Sequence, residues 1–460
     1  MLVFRVTIVL ALLLVCALFA AVLRKLVRRL DAAYRYDVRR DFRCDFAATG
    51  GIQLPVILDA GNLHLPAEAR TAGALFLGLQ LRSTLLGRLL QPRLAVTAGG
   101  RCRVQSFERG ARGLRYLNLS SLDRAQDGRV RLRGWRLRIP SRAMLHCVAT
   151  DLDPARQRIL IISPHPDDAE IAAFGLYYGR DAYIVTVTAG EAGEPGAFQE
   201  FGATAYLEKG HHRVWNSLTV PMLGGIGVGR TANLGYFDST LAGMRALPEV
   251  PVRSVAGVDT LEVFRSSLAP DLIVPRRGPP AWGGLVDDMR QLLQRIQPDI
   301  VVAPYPRIDL HPDHKLSTVA LLEAIDDLEW TRGSLLLYCN HLAVSDVYPY
   351  GARGGLVSLP PGFDDLYFDG ILSTVLDDAM QARKYRALEA MIDIRPVLRP
   401  ETLGGLARLL LRSLKARLTD ADASYLRLAV RSDELLFQVR MERLSEPGVR
   451  RRIEGDLPLA

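Results

Sequence analysis

Cysteine is scarce in this sequence of 460 residues, and its few cysteines are widely scattered. No Cys-x-x-Cys pair occurs, which excludes a thiolate zinc site, and the spacing does not indicate a disulfide-stabilised scaffold. The pattern agrees with a reducing compartment. The five cysteines are Cys16, Cys44, Cys102, Cys147 and Cys339.

The sequence also lacks internal repeats, low-complexity tracts and any recognisable nucleic-acid-binding module. Its formal net charge is +8, but the basic residues are spread along the chain and do not form a basic arm. We therefore expect no nucleic-acid partner. The glycine-rich residues 222–229 follow no clear strand, and no acidic residue lies about 20 positions further on in a βαβ unit, which excludes a dinucleotide site.

A long uncharged apolar run is present near the amino terminus. Residues 6–23 carry no charge, and Arg24, Lys25, Arg28 and Arg29 follow them. A membrane-spanning helix needs about 17–25 apolar residues, whereas the apolar part of a secretory signal has about 7–15. Only Arg5 precedes the run, so the positive-inside rule places the rest of the chain in the cytoplasm. Residues 1–30 are therefore predicted to be a single-pass anchor with a basic collar in the inner (cytoplasmic) membrane.

The region of residues 42–152 is predicted to be a β-rich accessory domain. Its segments alternate apolar and polar residues and are separated by Gly-Gly and Asp-Gly turns, which is typical of a β-sandwich. Such a domain could bind carbohydrate or position a substrate, or it could be a spacer packed on its neighbour. The alternating segments are residues 93–97, 101–105, 114–119 and 129–133.

Strands and helices alternate in residues 153–396, which predicts an α/β domain with a Rossmann-like, mostly parallel sheet covered on both faces. Residues 397–460 are predicted to form a helical tail. Within it, residues 406–418 place leucine and arginine at helical spacing. Such a helix could lie on anionic lipid or pack on the catalytic domain with its basic face in solvent.

Two short motifs predict a metal site at the end of this sheet. The sequence SPHPDDAE (residues 163–170) follows the apolar residues 159–162, and HPDH (residues 311–314) follows the apolar residues 300–303. Ligands bind at the carboxyl ends of strands in open α/β sheets. A hydrolytic zinc ion takes about three protein ligands and leaves one position for water. His165, Asp168 and His314 supply such a set, and Asp167 is left to act as a base.

The two motifs, in this order and in α/β surroundings, resemble those of the PIG-L/LmbE-like zinc-dependent de-N-acetylase family, as a membrane-anchored bacterial-type member. Residues 188–193 (TAGEAG) and 234–238 (LGYFD) extend the resemblance, which covers residues 157–396. It implies a Zn²⁺ cofactor held by His165, Asp168 and His314.

The resemblance also implies roles for five further residues. Asp167 would be the general base, His311 would stabilise the oxyanion, and Asp313 would orient an imidazole. Asp238 and Arg213 fall where relatives contact substrate hydroxyls, although Arg213 lies in RVWN, where many relatives have R-x-x-E. His341 stands apart from both motifs and is interpreted as a surface or core residue.

The predicted function is therefore that of a hydrolase of linear amide bonds, which removes the N-acetyl group of an N-acetylglucosamine-type sugar. The anchor favours a lipid-linked or cell-surface glycan precursor, such as one of lipopolysaccharide. A zinc amidase on a small soluble amino-sugar conjugate and a catalytically silent, membrane-tethered glycan-binding scaffold are the alternatives. Iron or cobalt also suits two histidines and one carboxylate.

Overall fold

Two antiparallel sheets form the amino-terminal part of the chain in this computed structural model, which describes residues 33–70, 72–122, 128–267, 272, 279–394, 410 and 425–457. One sheet has the order β1-β9-β3-β6, with β8 also pairing with β3, and the other has the order β2-β7-β4-β5. A short helix, α1 (Leu85–Leu89), follows β3. The strands are β1 (Ile52–Ile57), β2 (Asn62–His64), β3 (Ala74–Ser83), β4 (Arg93–Ala98), β5 (Arg101–Ser106), β6 (Arg112–Asn118), β7 (Arg129–Trp135), β8 (Leu137–Arg138) and β9 (Arg142–Val148).

The inward-facing residues of both sheets belong to one apolar core. Leu77 and Leu145 of the first sheet share this core with Val96 and Leu132 of the second. Burial alternates along β7 (exposed, buried, exposed, buried). Three arginines and one glycine occur in this strand, but its buried residues still contribute to the apolar core. The predicted β-rich region of antiparallel strands is confirmed.

A mixed sheet of eight strands forms the second part of the chain, with the order β13-β12-β11-β10-β14-β15-β17-β16. The five strands from β12 to β15 in this order are parallel, and β13, β17 and β16 are antiparallel to their neighbours. The predicted mostly parallel sheet is thus confirmed. The strands are β10 (Ile159–Ser163), β11 (Ala182–Thr188), β12 (Thr231–Tyr236), β13 (Ser266–Ser267), β14 (Ile300–Pro304), β15 (Ser334–Tyr338), β16 (Gly370–Val375) and β17 (Asp433–Arg440).

Helices cover both faces of this sheet. Along β10, Leu160 and Ile162 pack into one apolar cluster, whereas Ile159 and Ile161 pack into another. This arrangement explains why the strand is apolar at successive positions instead of alternating. The helices are α2 (Asp168–Tyr177), α3 (Ala205–Thr219), α4 (Leu241–Ala246), α5 (Trp282–Ile296), α6 (Pro312–Asp327), α7 (Asp378–Ala390), α8 (Tyr425–Ala429) and α9 (Pro447–Glu454).

The predicted helical tail, residues 397–460, needs a correction, because β17 enters the mixed sheet between β15 and β16. Leu436, Phe437 and Val439 are buried in this position. A short apolar run covered on both faces cannot be separated from a buried helical segment by its periodicity, and this explains the error. The rest of the predicted tail that is described contains α8 and α9, and residues 406–418 lie outside the described residues except for position 410.

No helix among the described residues is long and apolar enough to cross a membrane. The predicted anchor, residues 1–30, lies outside that part of the chain.

Candidate metal centre

Residues that follow the carboxyl ends of four parallel strands converge on one site. His165 and Asp168 follow β10, Asp238 follows β12, His314 follows β14, and Asn340 follows β15. Because parallel strands end at the same edge of a sheet, residues far apart in sequence meet there. The helix α6 begins at Pro312 with His311 as its N-cap, so that His311 and His314 lie on one opening turn with their ring centroids 5.1 Å apart.

Three potential ligand atoms form a nearly equilateral triangle in this site. His165 Nδ1 lies 3.2 Å from His314 Nε2 and 3.3 Å from Asp168 Oδ2, and the third side, from His314 Nε2 to Asp168 Oδ2, measures 3.1 Å. Tetrahedral zinc with bonds of about 2.0–2.2 Å to nitrogen and oxygen places neighbouring ligand atoms about 3.3 Å apart. The triangle therefore fits one face of a tetrahedral metal site, and its donors are those that zinc prefers.

Further side chains belong to the same cluster. Groups of three potential ligands that could hold a metal ion also arise from His165 with His311 and His314, from His314 with Asp168 and His341, and from His165 with Asp238 and Asp313. All of these groups overlap in His165 or His314, so they describe one candidate site with a surplus of donors.

Each corner of the triangle is held from behind by another polar group. Asp309 Oδ2 lies 3.1 Å from Nδ1 of His314, so that in the neutral ring Nδ1 carries the proton and Nε2 carries the lone pair. Asn340 Nδ2 donates to Asp168 Oδ1 at 2.7 Å, so Oδ2 remains directed at the histidines. Outer hydrogen bonds of this kind fix the tautomer and orientation of metal ligands.

His165 is held by two carboxylates on its Nε2 side. Its Nε2 lies 3.3 Å from Asp238 Oδ1 and 3.4 Å from Asp313 Oδ2. Asp313 is itself fixed, because its carboxylate accepts backbone N–H groups of Ser239 at 2.6 Å and Leu241 at 3.3 Å. The predicted role of Asp313 in orienting an imidazole agrees with these contacts.

The electrostatics of the cluster favour a cation between the three ligand atoms. Burial opposes a positive charge on His314, but the carboxylates of Asp168 and Asp309 outweigh it and raise the pKa of this imidazole to about 10. Burial also opposes ionisation of Asp168, and here His314 and His165 hold the pKa of the carboxyl well below its usual range. A metal ion would replace the proton that this negative environment retains.

Asp167 lies beside the triangle in a strained conformation. Its φ is 136°, in the left-handed region that non-glycine residues rarely adopt, and it is the N-cap of α2. Backbone strain of this kind concentrates at functional sites. The Asp167 Oδ2 atom accepts a 3.0 Å hydrogen bond from Arg213 Nη2. Burial raises the pKa of the carboxyl to about 7, although Arg213 acts in the opposite direction.

Arg213 is almost completely buried beneath Asp167. Besides that carboxylate it donates to the carbonyls of Pro166 at 2.8 Å and Gly190 at 3.0 Å, and to Asp393 Oδ2 at 2.8 Å. These contacts make Arg213 a support for Asp167. The contact between Arg213 and substrate that the sequence resemblance implies stays a prediction.

His311 stands at the mouth of the site with a defined tautomer. Its Nδ1 accepts the backbone N–H of Asp313 at 3.2 Å, so the neutral ring carries its proton on Nε2. Burial lowers the pKa of His311, and His165 and His314 lower it further. His311 can therefore present an N–H donor to a molecule in the site.

Burial is unequal across the cluster and defines its open side. The side chains of His314, Asp309 and Asp313 are no more than 1% exposed, whereas Asp167 is 15% and Asp238 11% exposed. A substrate would therefore approach over Asp167 and Asp238.

Sequence reasoning missed three residues that complete the site. Asp309 and Asn340 hold His314 and Asp168, and His341 lies with its ring centroid 5.0 Å from that of His314. The interpretation of His341 as isolated from the motifs is therefore wrong. The available signal was the position of Asn340 and His341 directly after β15, the strand next to β14, since their loop must lie at the same sheet edge.

Comparisons with known proteins give one family match and several solved structures. Residues 160–325 match the model of the family described as PIG-L: GlcNAc-PI de-N-acetylase. Among solved structures, GalB, the 4-carboxy-2-hydroxymuconate hydratase from Pseudomonas putida KT2440, is 16% identical with a TM-score of 0.32, and the match covers 62% of this chain and 96% of that chain. A family two carbohydrate esterase from Cellvibrio japonicus is 11% identical with a TM-score of 0.17, covering 63% and 90% respectively. No curated protein sequence matches the chain.

Proposed function

Residues 160–325 form a domain of the PIG-L family of de-N-acetylases, and from this premise we propose that the protein is a membrane-anchored, zinc-dependent deacetylase. It hydrolyses the N-acetyl group of an N-acetylglucosamine-type sugar on a lipid-linked or cell-surface glycan precursor, for example one of lipopolysaccharide. The observation that carries the proposal is the triangle of His165 Nδ1, Asp168 Oδ2 and His314 Nε2, with sides of 3.1–3.3 Å. These three residues would hold the zinc ion.

Zinc bound there would lower the pKa of water to near neutrality and polarise the amide carbonyl. The chain supplies the proton transfers. Asp167 takes the proton of the water that attacks the carbonyl carbon, and its pKa of about 7 suits a base that works near neutral pH. The contact with Arg213 fixes the orientation of the Asp167 carboxylate during this step.

His311 acts on the other side of the reacting carbonyl. With Nδ1 occupied by the amide of Asp313, its Nε2–H can donate a hydrogen bond to the developing oxyanion, and the proton that Asp167 took from water passes to the departing nitrogen. The C–N bond breaks, and the products are acetate and a free amine. Asp313 and Asp238 keep His165 in position throughout, and Asp238 is exposed enough to accept a sugar hydroxyl.

The membrane part of the proposal rests on the sequence of residues 6–23 and the basic residues after them. This segment supports a single-pass protein of the inner membrane with its catalytic site in the cytoplasm. A substrate that is itself attached to a lipid would share the surface on which the enzyme is anchored. The family description, GlcNAc-PI de-N-acetylase, names GlcNAc-PI as the compound that is deacetylated.

The test is amine release by the full-length, zinc-loaded protein from N-acetylglucosamine glycolipids and matched soluble glycosides. Asp167→Asn and His314→Ala are the site variants, and Asp346→Asn is the control, because Asp346 lies in an exposed pair with Arg35. We expect release from glycolipids that both site variants abolish and the control retains.

Other outcomes would select a different function. Equal turnover of soluble and lipid-linked acetamides would favour a small soluble amino-sugar conjugate as the substrate. No release from any acceptor by protein with a full equivalent of zinc would contradict the deacetylase assignment for these substrates and favour the silent scaffold.

A further inference from the structure

Three arginines lie side by side on neighbouring strands, at one end of the first antiparallel sheet, and form an arginine row. Arg82 of β3 is the direct cross-strand partner of Arg112 in β6 and of Arg138 in β8. Directly opposed residues of antiparallel strands point to the same face, and all three side chains are exposed. Like charges in such positions destabilise a sheet. The row therefore destabilises the sheet, and packing within the sheet does not explain its presence.

The described part of the chain pairs none of these charges with a carboxylate. Within the part of the chain that the structure describes, Arg82, Arg112 and Arg138 take part in no ion pair, and neither does the nearby exposed Arg88 of α1. Arg115, three positions after Arg112 along β6, provides a contrast, since its guanidinium binds Glu108 at 3.1 Å and is buried. The cationic row is thus available to an external anion.

Two leucines project from the same end of the sheet. Leu85 is 79% exposed and Leu86 is 61% exposed, and both belong to the helix that follows β3 directly. This helix is fixed: Thr84 Oγ1 accepts the N–H of Gly87 at 3.3 Å, and the carbonyl of Gly87 accepts the N–H of Gly110 at 2.8 Å. Gly87 faces inward, where a Cβ atom would lie 2.4 Å from the Arg136 carbonyl oxygen, so the leucines must face outward.

The amino-terminal segment passes beside this surface. The N–H of Arg112 donates to the carbonyl of Val38 at 3.1 Å, and Val38 also approaches Gly110, next to the Arg88 side chain. Tyr34 and Arg35 first contact Ser345 and Val344, and the chain then passes beside the arginine row at Val38. Apolar side chains flanked by unpaired cations are typical of surfaces that lie in the interface of an anionic membrane.

We propose that Leu85 and Leu86, with Arg82, Arg88, Arg112 and Arg138, form a docking surface for anionic lipid. The leucines enter the headgroup region, and the arginines bind lipid phosphates. This inference rests on the anchoring part of the proposed function and deepens it, because docking would fix the orientation of the folded part on the membrane. It does not depend on the deacetylase chemistry.

The test places an environment-sensitive fluorophore on the full-length protein in vesicles that contain lipid-attached quencher. One protein carries the fluorophore at Leu86→Cys and the other at Leu247→Cys. Both have a Cys16→Ser/Cys102→Ser background, because Cys16 belongs to the predicted anchor and Cys102 is exposed. Leu247 is a matched control: it is 59% exposed, and the nearby Arg245 is paired with Glu323. Vesicles of neutral phosphatidylcholine are compared with vesicles that also contain phosphatidylglycerol.

Docking predicts lipid quenching of the probe at position 86 and none at position 247. The ratio of docked to undocked protein should fall about fivefold for each arginine of the row that is replaced by glutamine. The same ratio should also fall in neutral lipid and at high salt. A charged side chain in place of one of the two leucines, as in Leu85→Asp, should abolish the quenching.

Three results would overturn the proposal. A probe at position 86 that stays in water while the protein floats with the vesicles would exclude docking and leave the anchor intact. Protein that does not float with vesicles of either composition would exclude both docking and the anchor. Protection of the probe by heparin in place of lipid would assign the surface to an acidic macromolecule. Amine release measured on the same samples reports on the deacetylase proposal separately.

Discussion

Asp309 Oδ2 and His314 Nδ1 lie 3.1 Å apart, on the side of the imidazole opposite the candidate metal position. The same carboxylate accepts the backbone N–H of His311 at 2.9 Å, so one buried side chain supports both histidines of the second motif. It therefore links the tautomer of a metal ligand to the position of the proposed oxyanion donor.

Replacing this support should weaken metal binding without removing any ligand. We expect Asp309→Asn to lower zinc affinity about 10- to 100-fold, as for other residues that orient metal ligands. Competition with a chromophoric chelator measures the affinity, and the exposed Asp346→Asn serves as the control. Unchanged affinity in Asp309→Asn would mean that His314 does not bind the metal through Nε2.

Asp167 should be needed for turnover but not for metal binding. Asp167→Asn retains the size of the side chain and can still accept a hydrogen bond from Arg213 at the amide oxygen. Loss of a general base costs about 10²–10⁴ in rate. We expect kcat to fall by that factor while the zinc content stays at that of the parent protein. A variant that lost zinc together with activity would place Asp167 among the ligands.

The two motifs identified most of the candidate site because each adjoins an apolar strand, and parallel strands of one sheet bring their carboxyl ends together. His165, Asp168, His311 and His314 meet for this reason. Asp309 lies only two residues before the second motif, but no spacing rule distinguishes it from a turn aspartate. Asn340 and His341 required knowledge that β15 neighbours β14, which depends on the strand order.

The strand β17 shows the other limit of sequence reasoning. It pairs in antiparallel orientation with β15 and β16. The strand β15 ends 95 residues before β17 begins. Its apolar run is too short for periodicity to separate strand from helix. Tertiary pairing therefore determines its structure, whereas β10 could be predicted from its own sequence and the motif that follows it.

A buried ion pair between α7 and β17 lies beside α2, the helix that carries Asp168. Lys384 Nζ lies 2.8 Å from Glu434 Oε1, and both side chains are at most 3% exposed. The Glu434 carboxylate also accepts the backbone N–H groups of Gly175 and Leu176, next to Ala173, where α2 departs from helical geometry. This pair therefore stabilises the break in α2.

We expect Lys384→Met to lower the free energy of unfolding by about 3–5 kcal/mol, because Glu434 would be left buried without its cation. The double variant Lys384→Met/Glu434→Gln should lose less than the sum of the single variants. Urea unfolding measures both, and Arg35→Ala in the exposed pair with Asp346 should cost less than about 1 kcal/mol. Additive losses would show that the two side chains do not interact.

His146 should make the stability of the protein depend on acid pH. Its ring stacks on Phe46 with centroids 4.4 Å apart, its Nδ1 atom has no hydrogen-bond partner, and burial lowers its pKa to about 4. In the unfolded chain a histidine has a pKa of about 6.5. Between these values the unfolded state binds a proton that the folded state does not, so the free energy of unfolding falls as pH decreases.

The slope from this residue is at most about 1.4 kcal/mol per pH unit, and it acts only between about pH 6.5 and 4. His146→Leu removes the titrating group and should flatten the stability profile in that window relative to the parent protein, with little difference in slope above pH 7. Urea unfolding at a series of pH values measures this difference, and His64→Gln, at an exposed position, is the control. Parallel profiles of the parent and His146→Leu proteins would mean that the buried imidazole is protonated in the folded state, which its apolar surroundings between Phe46 and Tyr116 oppose.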